Sequence, residues 1–307
     1  MSESSSDISP IEHVLKLEQL DADLFRSAEP LYKARGARGI FGGNVISQSL
    51  MAAIKTVPET FQVHSMHCYF LLAGDSSLPV LYFVERIREG KSFCTRTVQA
   101  RQKGRCIFST TISFQIPVKT PLNHQVSFPG TSLPQPEDLP SLAEYALELY
   151  KAGAISKTEY EFSDELSRVA PTESKTFIPQ YSKDMPPQDR RNYLWIKAKG
   201  NIQEASAHAM ALAYMSDNAL LGTSVRVNGI GSKHISMMVS LDHIIYFHAP
   251  IKADEWLLYE MQSPWTGSAR GLVYARVFSR DGTLLASVIQ EGVVRLKDLE
   301  LKSKSKL

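Results

Sequence analysis

The sequence predicts an α+β fold of two tandem units, each an antiparallel sheet wrapped around a long helix. Three observations predict it. Segments on either side of a proline-rich stretch resemble each other at a steady interval: Tyr69-Phe70 recurs 177 positions on as Tyr246-Phe247, and the turn glycine Gly104 recurs 178 positions on as Gly282. In both segments a helical stretch precedes strands joined by a short polar turn, Lys103-Gly104 and then Asp281-Gly282, as in antiparallel hairpins. The second helical stretch, EASAHAMALAYMSDNALL, is almost wholly apolar, and such a helix needs a surface that covers it.

The elements follow in chain order. Residues 1–19 read as an N-terminal extension. Its start, MSESSSDISP, lacks the basic and apolar regions of a secretory signal and the arginines of a transit peptide. A first unit over 20–117 opens with the helix GGNVISQSLMAAIKTV, whose Val45, Leu50, Ala53 and Ile54 fall near helical spacing. Strands VHSMHCYFLLAGD and QARQKGRCIFSTTISFQ follow. From Pro117 to Pro140 six prolines preclude a continuous helix or central strand, so residues 118–190 read as a linker or inserted segment. Within it, SLAEYALELYKAGA predicts a helix with Ser141 as N-cap and Glu144 completing a capping box. A second unit over 191–297 repeats helix and strands, and 298–307 is a lysine-rich tail.

Of 307 residues, 43% are hydrophobic and 21% charged, and the formal net charge is +2. The balance is that of a globular enzyme and does not argue for nucleic acid. Cys68, Cys94 and Cys106 form no CxxC pair, so neither a disulfide scaffold nor a structural zinc site is expected. No apolar run reaches the roughly 18–20 residues that span a bilayer. There is no P-loop and no dinucleotide fingerprint, and no cofactor or metal is expected.

Three polar residues interrupt the apolar pattern of the second unit. Asp217 follows the apolar helix, Ser240 lies in ISMMVSLDHIIYF, and Gln290 lies in LLASVIQEGVV. Burying each without a partner costs about 1–3 kcal/mol, so mutual contact is the simplest arrangement. At the repeat interval Ser240 falls on Val63 and Gln290 on Ile112, while Asp217 falls roughly on Gln48. A purely structural trio would be needed in both halves. Its presence in one half points to a site. The structural alternatives are a helix-capping Asp217, an ordinary strand Ser240 and a strand-edge pair Gln290-Glu291.

The motifs RGIFGGNVISQSL, VHSMHCYFLLAGD, AYMSDNALL, SLDHIIYFHAP, EWLLYEMQSPWTGSARG and DGTLLASVIQEGVVR resemble the acyl-CoA thioesterase II (TesB-type) family, which has bacterial and peroxisomal members. The resemblance spans about residues 20–297. It implies a double-hotdog fold, hydrolysis of fatty acyl-CoA to free acid and coenzyme A, and a catalytic trio at Asp217, Ser240 and Gln290. The hydroxyl position is Thr in many bacterial members and Ser here. A G-x-S-x-G elbow is absent, which disfavours Ser240 as a covalent nucleophile. Two alternatives remain open: a hotdog hydratase or dehydratase, which would be expected to use an Asp/His pair, and a non-catalytic acyl-CoA-binding module.

Further candidates are weaker. His64 and His67, three apart on a strand, are expected on opposite faces, so they read as structural or as lining the substrate cleft. Gly42-Gly43 opens the first helix and allows close approach of a ligand or of the second unit. Arg270, with Lys233 and Arg226, is a candidate for coenzyme A phosphates. Hotdog sheets often pair edge to edge, making a homo-oligomer an expectation. The terminal Ser305-Lys306-Leu307 matches the tripeptide read by the peroxisomal import receptor, which predicts the peroxisomal matrix as location.

Overall fold

The computed structural model describes residues 9–33, 37–177, 179–182 and 184–297. Ser305, Lys306 and Leu307 lie outside the described residues. The helices are α1 (Pro10–Leu15), α2 (Gly42–Ile54), α3 (Leu142–Lys151), α4 (Lys157–Val169), α5 (Ala205–Ser216) and α6 (Thr223–Arg226). The strands of the first half are β1 (Leu17–Asp21), β2 (Leu24–Ser27), β3 (Gln62–Phe70), β4 (Leu81–Glu89), β5 (Phe93–Gln102) and β6 (Arg105–Gln115). Those that follow are β7 (Thr172–Phe177), β8 (Arg191–Ala198), β9 (Ile235–Ser240), β10 (Asp242–Phe247), β11 (Leu257–Gly267), β12 (Arg270–Phe278) and β13 (Leu284–Leu296).

Local chemistry explains several of these boundaries. Ser9, Ser141 and Ser156 each accept from the backbone three residues on, while Glu12, Glu144 and Glu159 reach back to the capping serine's backbone. These capping boxes start α1, α3 and α4. Only α3 is anticipated above; α4 carries the same Ser-x-x-Glu signal. The segment 118–190 thus holds two helices and β7, which joins the sheet beside β8.

The strands form one antiparallel sheet in the order β1-β2-β4-β5-β6-β3-β10-β13-β12-β11-β8-β7, with β9 pairing β13 beside β10. The two halves meet at β3 and β10. There Ser65 faces Tyr246 and Tyr69 faces Asp242, with His67 facing Ile244 between them. A shift of 177 converts the first pair into the second, so a local two-fold axis passes through the pair His67–Ile244. The same correspondence holds further out: Tyr82 faces Ala100 and Tyr259 faces Val277. The structure is a double hotdog.

The sheet curls around α2 and α5, which pack against each other. Helix α5 hides Met210, Leu212 and Met215, each worth about 1.5–3 kcal/mol on burial. Helix α2 is equally buried but polar in part. Its Gln48 accepts a hydrogen bond from Tyr82 Oη at 2.7 Å and donates to the Val14 carbonyl at 3.1 Å, satisfying an otherwise costly amide.

The apolar run continues to Leu221, but α5 ends at Ser216 with Asp217 as its C-cap, and Ala219 has φ 60°. That left-handed residue turns the chain before the short α6 begins. The N-terminal turn of α2 lies against this end of α5. A Cβ on Gly43 would stand 2.4 Å from the Tyr214 carbonyl oxygen and 2.4 Å from the Phe41 ring. Gly43→Ala is therefore expected to lose about 1–3 kcal/mol through overpacking, measured by urea denaturation. An unchanged midpoint would show that the helices can separate without cost.

Candidate active site

Asp217, Ser240 and Gln290 arrive from three elements. Gln290 is on β13, fully buried on its inner face. Ser240 ends β9 and faces Gly292 of β13. Asp217 caps α5. The Gln290 side-chain amide nitrogen donates to Asp217 Oδ1 at 2.8 Å and to Ser240 Oγ at 2.6 Å. The Asp217 carboxylate also accepts hydrogen bonds from the Gly43 backbone N–H and the Ser240 hydroxyl. Gly43 belongs to the first half, so the cluster is completed across the junction of the two units.

Glycine at 42 is part of this geometry. A Cβ there would lie 2.6 Å from Asp217 Oδ2 and 2.9 Å from the Phe70 ring. Phe70 itself packs edge-on with Phe108, and Phe41 packs edge-on with Tyr214. An apolar wall thus adjoins the carboxylate.

Burial pushes the Asp217 pKa up from 3.8 to about 6, and the bonds from Gln290, Gly43 and Ser240 hold it back from rising further. Two helix ends act in opposite senses. Asp217 sits at the negative end of its own helix, while the positive end of α2 faces it. The result is a carboxylate that titrates close to neutrality, suited to taking and returning a proton.

The repeat comparison holds in register. Thr111 faces His67 and Ile289 faces Ile244, which sets Ile112 and Gln290 at matching places. Val63 faces Phe114 as Ser240 faces Gly292. For the acid, the matched tyrosines serve as markers. Tyr82 Oη bonds the Gln48 side chain, and Tyr259 Oη bonds the Ser216 carbonyl at 2.8 Å, so Gln48 lies where Asp217 lies in the other half.

The remaining candidates do not reach this cluster. A bulge between Val63 and Ser65 adds one residue to β3 and turns both His64 and His67 outward, correcting the opposite-face expectation. His64 Nε2 meets Ser113 Oγ at 2.8 Å, and His67 packs edge-on with Tyr246. Arg270 pairs with Glu291 at 3.3 Å and lies over Trp265, on the face of β12 and β13 away from Gln290. Among the described residues, no group of three or more His, Cys, Asp or Glu could hold a metal. None of the helices among them is long and apolar enough to cross a membrane.

His243, five residues from His248, is set aside on the sequence because an odd spacing on a strand does not suit a shared metal; the structure gives it another place. It is fully buried, its Nε2 lies 2.8 Å from Ser216 Oγ, and desolvation pushes its pKa down to about 3. It therefore stands behind the residue preceding Asp217 as a neutral imidazole. Its inward direction on β10 was the available signal, but only the register to β13 shows it beside Gln290.

Residues 32–115 match the family description "Acyl-CoA thioesterase N-terminal domain", and residues 136–294 match "Acyl-CoA thioesterase C-terminal domain". The chain is 43% identical over 297 residues to acyl-coenzyme A thioesterase 8 of Mus musculus, covering 95% of this chain and 90% of the relative. It is 28% identical over 337 residues to peroxisomal acyl-coenzyme A thioester hydrolase 1 of Saccharomyces cerevisiae, covering 96% and 97%. The crystal structure of an acyl-CoA thioesterase II, TesB2, from Mycobacterium marinum superposes with a TM-score of 0.75 at 33% identity, covering 94% of this chain and 98% of that one.

The Asp217 titration has a stability consequence. Its folded pKa of about 6 lies above the ordinary 3.8, so its favourable contribution is complete below the ordinary value and lost as pH rises through about 6. Asp217→Asn should gain stability relative to wild type between pH 4 and pH 8, by roughly 1–3 kcal/mol before screening is allowed for. Paired denaturant melts at the two pH values check this. A gap that shrinks with rising pH would mean that the carboxylate is not raised.

Proposed function

The chain belongs to the acyl-CoA thioesterase II family, and from that premise we propose that Asp217, Ser240 and Gln290 hydrolyse fatty acyl-CoA to free fatty acid and coenzyme A by activating a water. The observation that carries the reading is the Gln290 amide, which donates to both Asp217 and Ser240 and holds the two oxygens at a fixed separation. Asp217 removes a proton from water as the water oxygen attacks the thioester carbonyl carbon. The carbonyl becomes a tetrahedral oxyanion. Collapse re-forms the carbonyl, breaks the C–S bond and releases coenzyme A thiolate, which takes the proton back from Asp217.

The amide nitrogen of Gln290 has two hydrogens, and both are engaged within the trio. The oxyanion donor is then best supplied by a backbone N–H of the N-terminal turn of α2, whose positive helix end faces the cluster. The apolar wall of Phe41, Phe70 and Tyr214 suits an acyl chain. A hydratase would be expected to pair its acid with histidine. Here the buried histidine, His243, bonds Ser216, and among the described residues no hydrogen bond joins it to Asp217, which favours hydrolysis.

Asp217→Asn is expected to fold and to lose about 10²–10⁴-fold in turnover, followed as free thiol released from an acyl-CoA. Ser240→Thr should remain active, while Ser240→Ala and Gln290→Ala each lose much of the rate. A trapped acyl adduct on Ser240 in the mass spectrum would replace the water mechanism by a covalent one. Full turnover by Asp217→Asn would remove the acid from the reaction.

The same reading places the enzyme in the peroxisomal matrix, delivered by the import receptor through Ser305-Lys306-Leu307. The Saccharomyces cerevisiae relative is named a peroxisomal acyl-coenzyme A thioester hydrolase, which supports the peroxisome as location. Deleting the three residues should leave an N-terminally tagged fusion cytosolic, with unchanged specific activity. Punctate peroxisomal fluorescence that survives the deletion would assign import to another signal.

A further inference from the structure

The acid lies at a break that only one half of the protein contains. In the first half α2 runs unbroken through Gln48, the residue matched to Asp217. In the second half the helix stops at Ser216, and Ala219 adopts φ 60°, a conformation that L side chains other than Asn and Asp rarely visit. Something must hold it there. Neither Asn218 nor Ala219 offers the freedom that glycine brings to such a turn.

Arg226, the last residue of α6, is placed to do so. Its Nη2 donates to the Ala219 carbonyl at 2.7 Å and to Thr223 Oγ1 at 3.2 Å. Thr223 Oγ1 in turn points at Met261 Sδ, anchoring the arrangement to β11. The backbone N–H of Arg226 bonds the Gly222 carbonyl at 3.0 Å, so the side chain reaches back over a tight turn. The guanidinium is largely buried. None of the ion pairs among the described residues includes it, and its buried Nε finds no hydrogen-bond partner. Burial alone lowers its pKa to about 10. A buried cation without a carboxylate is costly. A neutral residue would avoid that cost but cannot make the charge-assisted bond to the Ala219 carbonyl.

We propose that Arg226 is a positioning residue for hydrolysis: its guanidinium clamps the Ala219 carbonyl, keeps the left-handed turn closed, and so aims the Asp217 carboxylate at Gln290. The inference rests on the reading of Asp217 as the catalytic base. Arg226 acts through the Ala219 carbonyl and Thr223, not through a hydrogen bond to Asp217, Ser240 or Gln290. Its removal lets residues 217–219 relax toward ordinary helical or extended backbone, displacing the carboxylate by a fraction of a turn.

The test is a steady-state comparison on an acyl-CoA at a temperature where every variant is folded by near-ultraviolet circular dichroism. Arg226→Gln should lower kcat by about 10–100-fold, the scale of a misplacement near 1 Å, with KM within about twofold of wild type. Ala219→Gly added to Arg226→Gln should restore most of kcat, because glycine holds the left-handed turn without a clamp. If Arg226→Gln does not fold, Arg226→Lys takes its place; its shorter single donor should cost kcat several-fold, with the same recovery by Ala219→Gly. In an Asp217→Asn background the Arg226 substitution should change the residual rate no further. Wild-type kcat in the folded Arg226 variant, or a loss that Ala219→Gly does not recover, overturns the inference. The controls separate the two failures: an active Asp217→Asn defeats the reading of the acid, whereas an inactive Asp217→Asn beside an unaffected Arg226→Gln defeats only the clamp.

Discussion

The arrangement depends on one close approach, the N-terminal turn of α2 against the C-terminal end of α5. Gly43 has no room for a Cβ between the Tyr214 carbonyl and the Phe41 ring, and Gly42 has none beside Asp217 Oδ2. Side chains at these positions would push the helices apart. The sheet would then have to open, because both helices share its concave face. The same approach brings the Gly43 N–H to the Asp217 carboxylate. A packing constraint and an electrostatic one are therefore met by the same two glycines. They also explain why a site whose polar side chains all come from the second half still needs the first.

Duplication left two matched halves with different uses for their buried polar groups. In the second half Val273 faces Gln290 across the strands, and in the first Arg96 faces Ile112. The polar partner has changed strand. Arg96 is fully buried and donates to the carbonyl and hydroxyl of Thr56, just past the end of α2, and to Glu89. It satisfies a helix end and leaves no group that could move a proton. Gln48, bonded to Tyr82 and Val14, is likewise fully engaged. In the second half the corresponding helix is broken, and the break places a buried acid where the first half buries an amide.

The charge environment follows from that break. A carboxylate at the C-terminal end of a helix is disfavoured by the peptide dipoles, and burial disfavours it further. Three donors and the facing helix terminus keep it ionisable near neutral pH. The neutral His243 behind Ser216 adds packing and a hydrogen bond without adding a second charge.

Patterns carried by neighbouring residues were legible in the sequence. The hairpin turns at Lys103-Gly104 and Asp281-Gly282, the capped helix after Ser141 and the apolar α5 follow from local propensity and periodicity. The repeat follows from comparing one stretch of chain with another. Because Val63 and Ile112 stand where Ser240 and Gln290 stand, the sequence also marked which half had acquired polar residues on an inner face. Other features depended on strand register and helix crossing between residues far apart in the chain. The bulge that turns His64 and His67 to one face, the left-handed turn at Ala219, the burial of His243 and the outward pairing of Arg270 with Glu291 are of that kind. So are the distances that join Asp217, Ser240 and Gln290. Local sequence sets which residues prefer to be buried. Which buried residues meet is decided by how the two helices cross beneath a single sheet, and no short stretch of chain records that crossing.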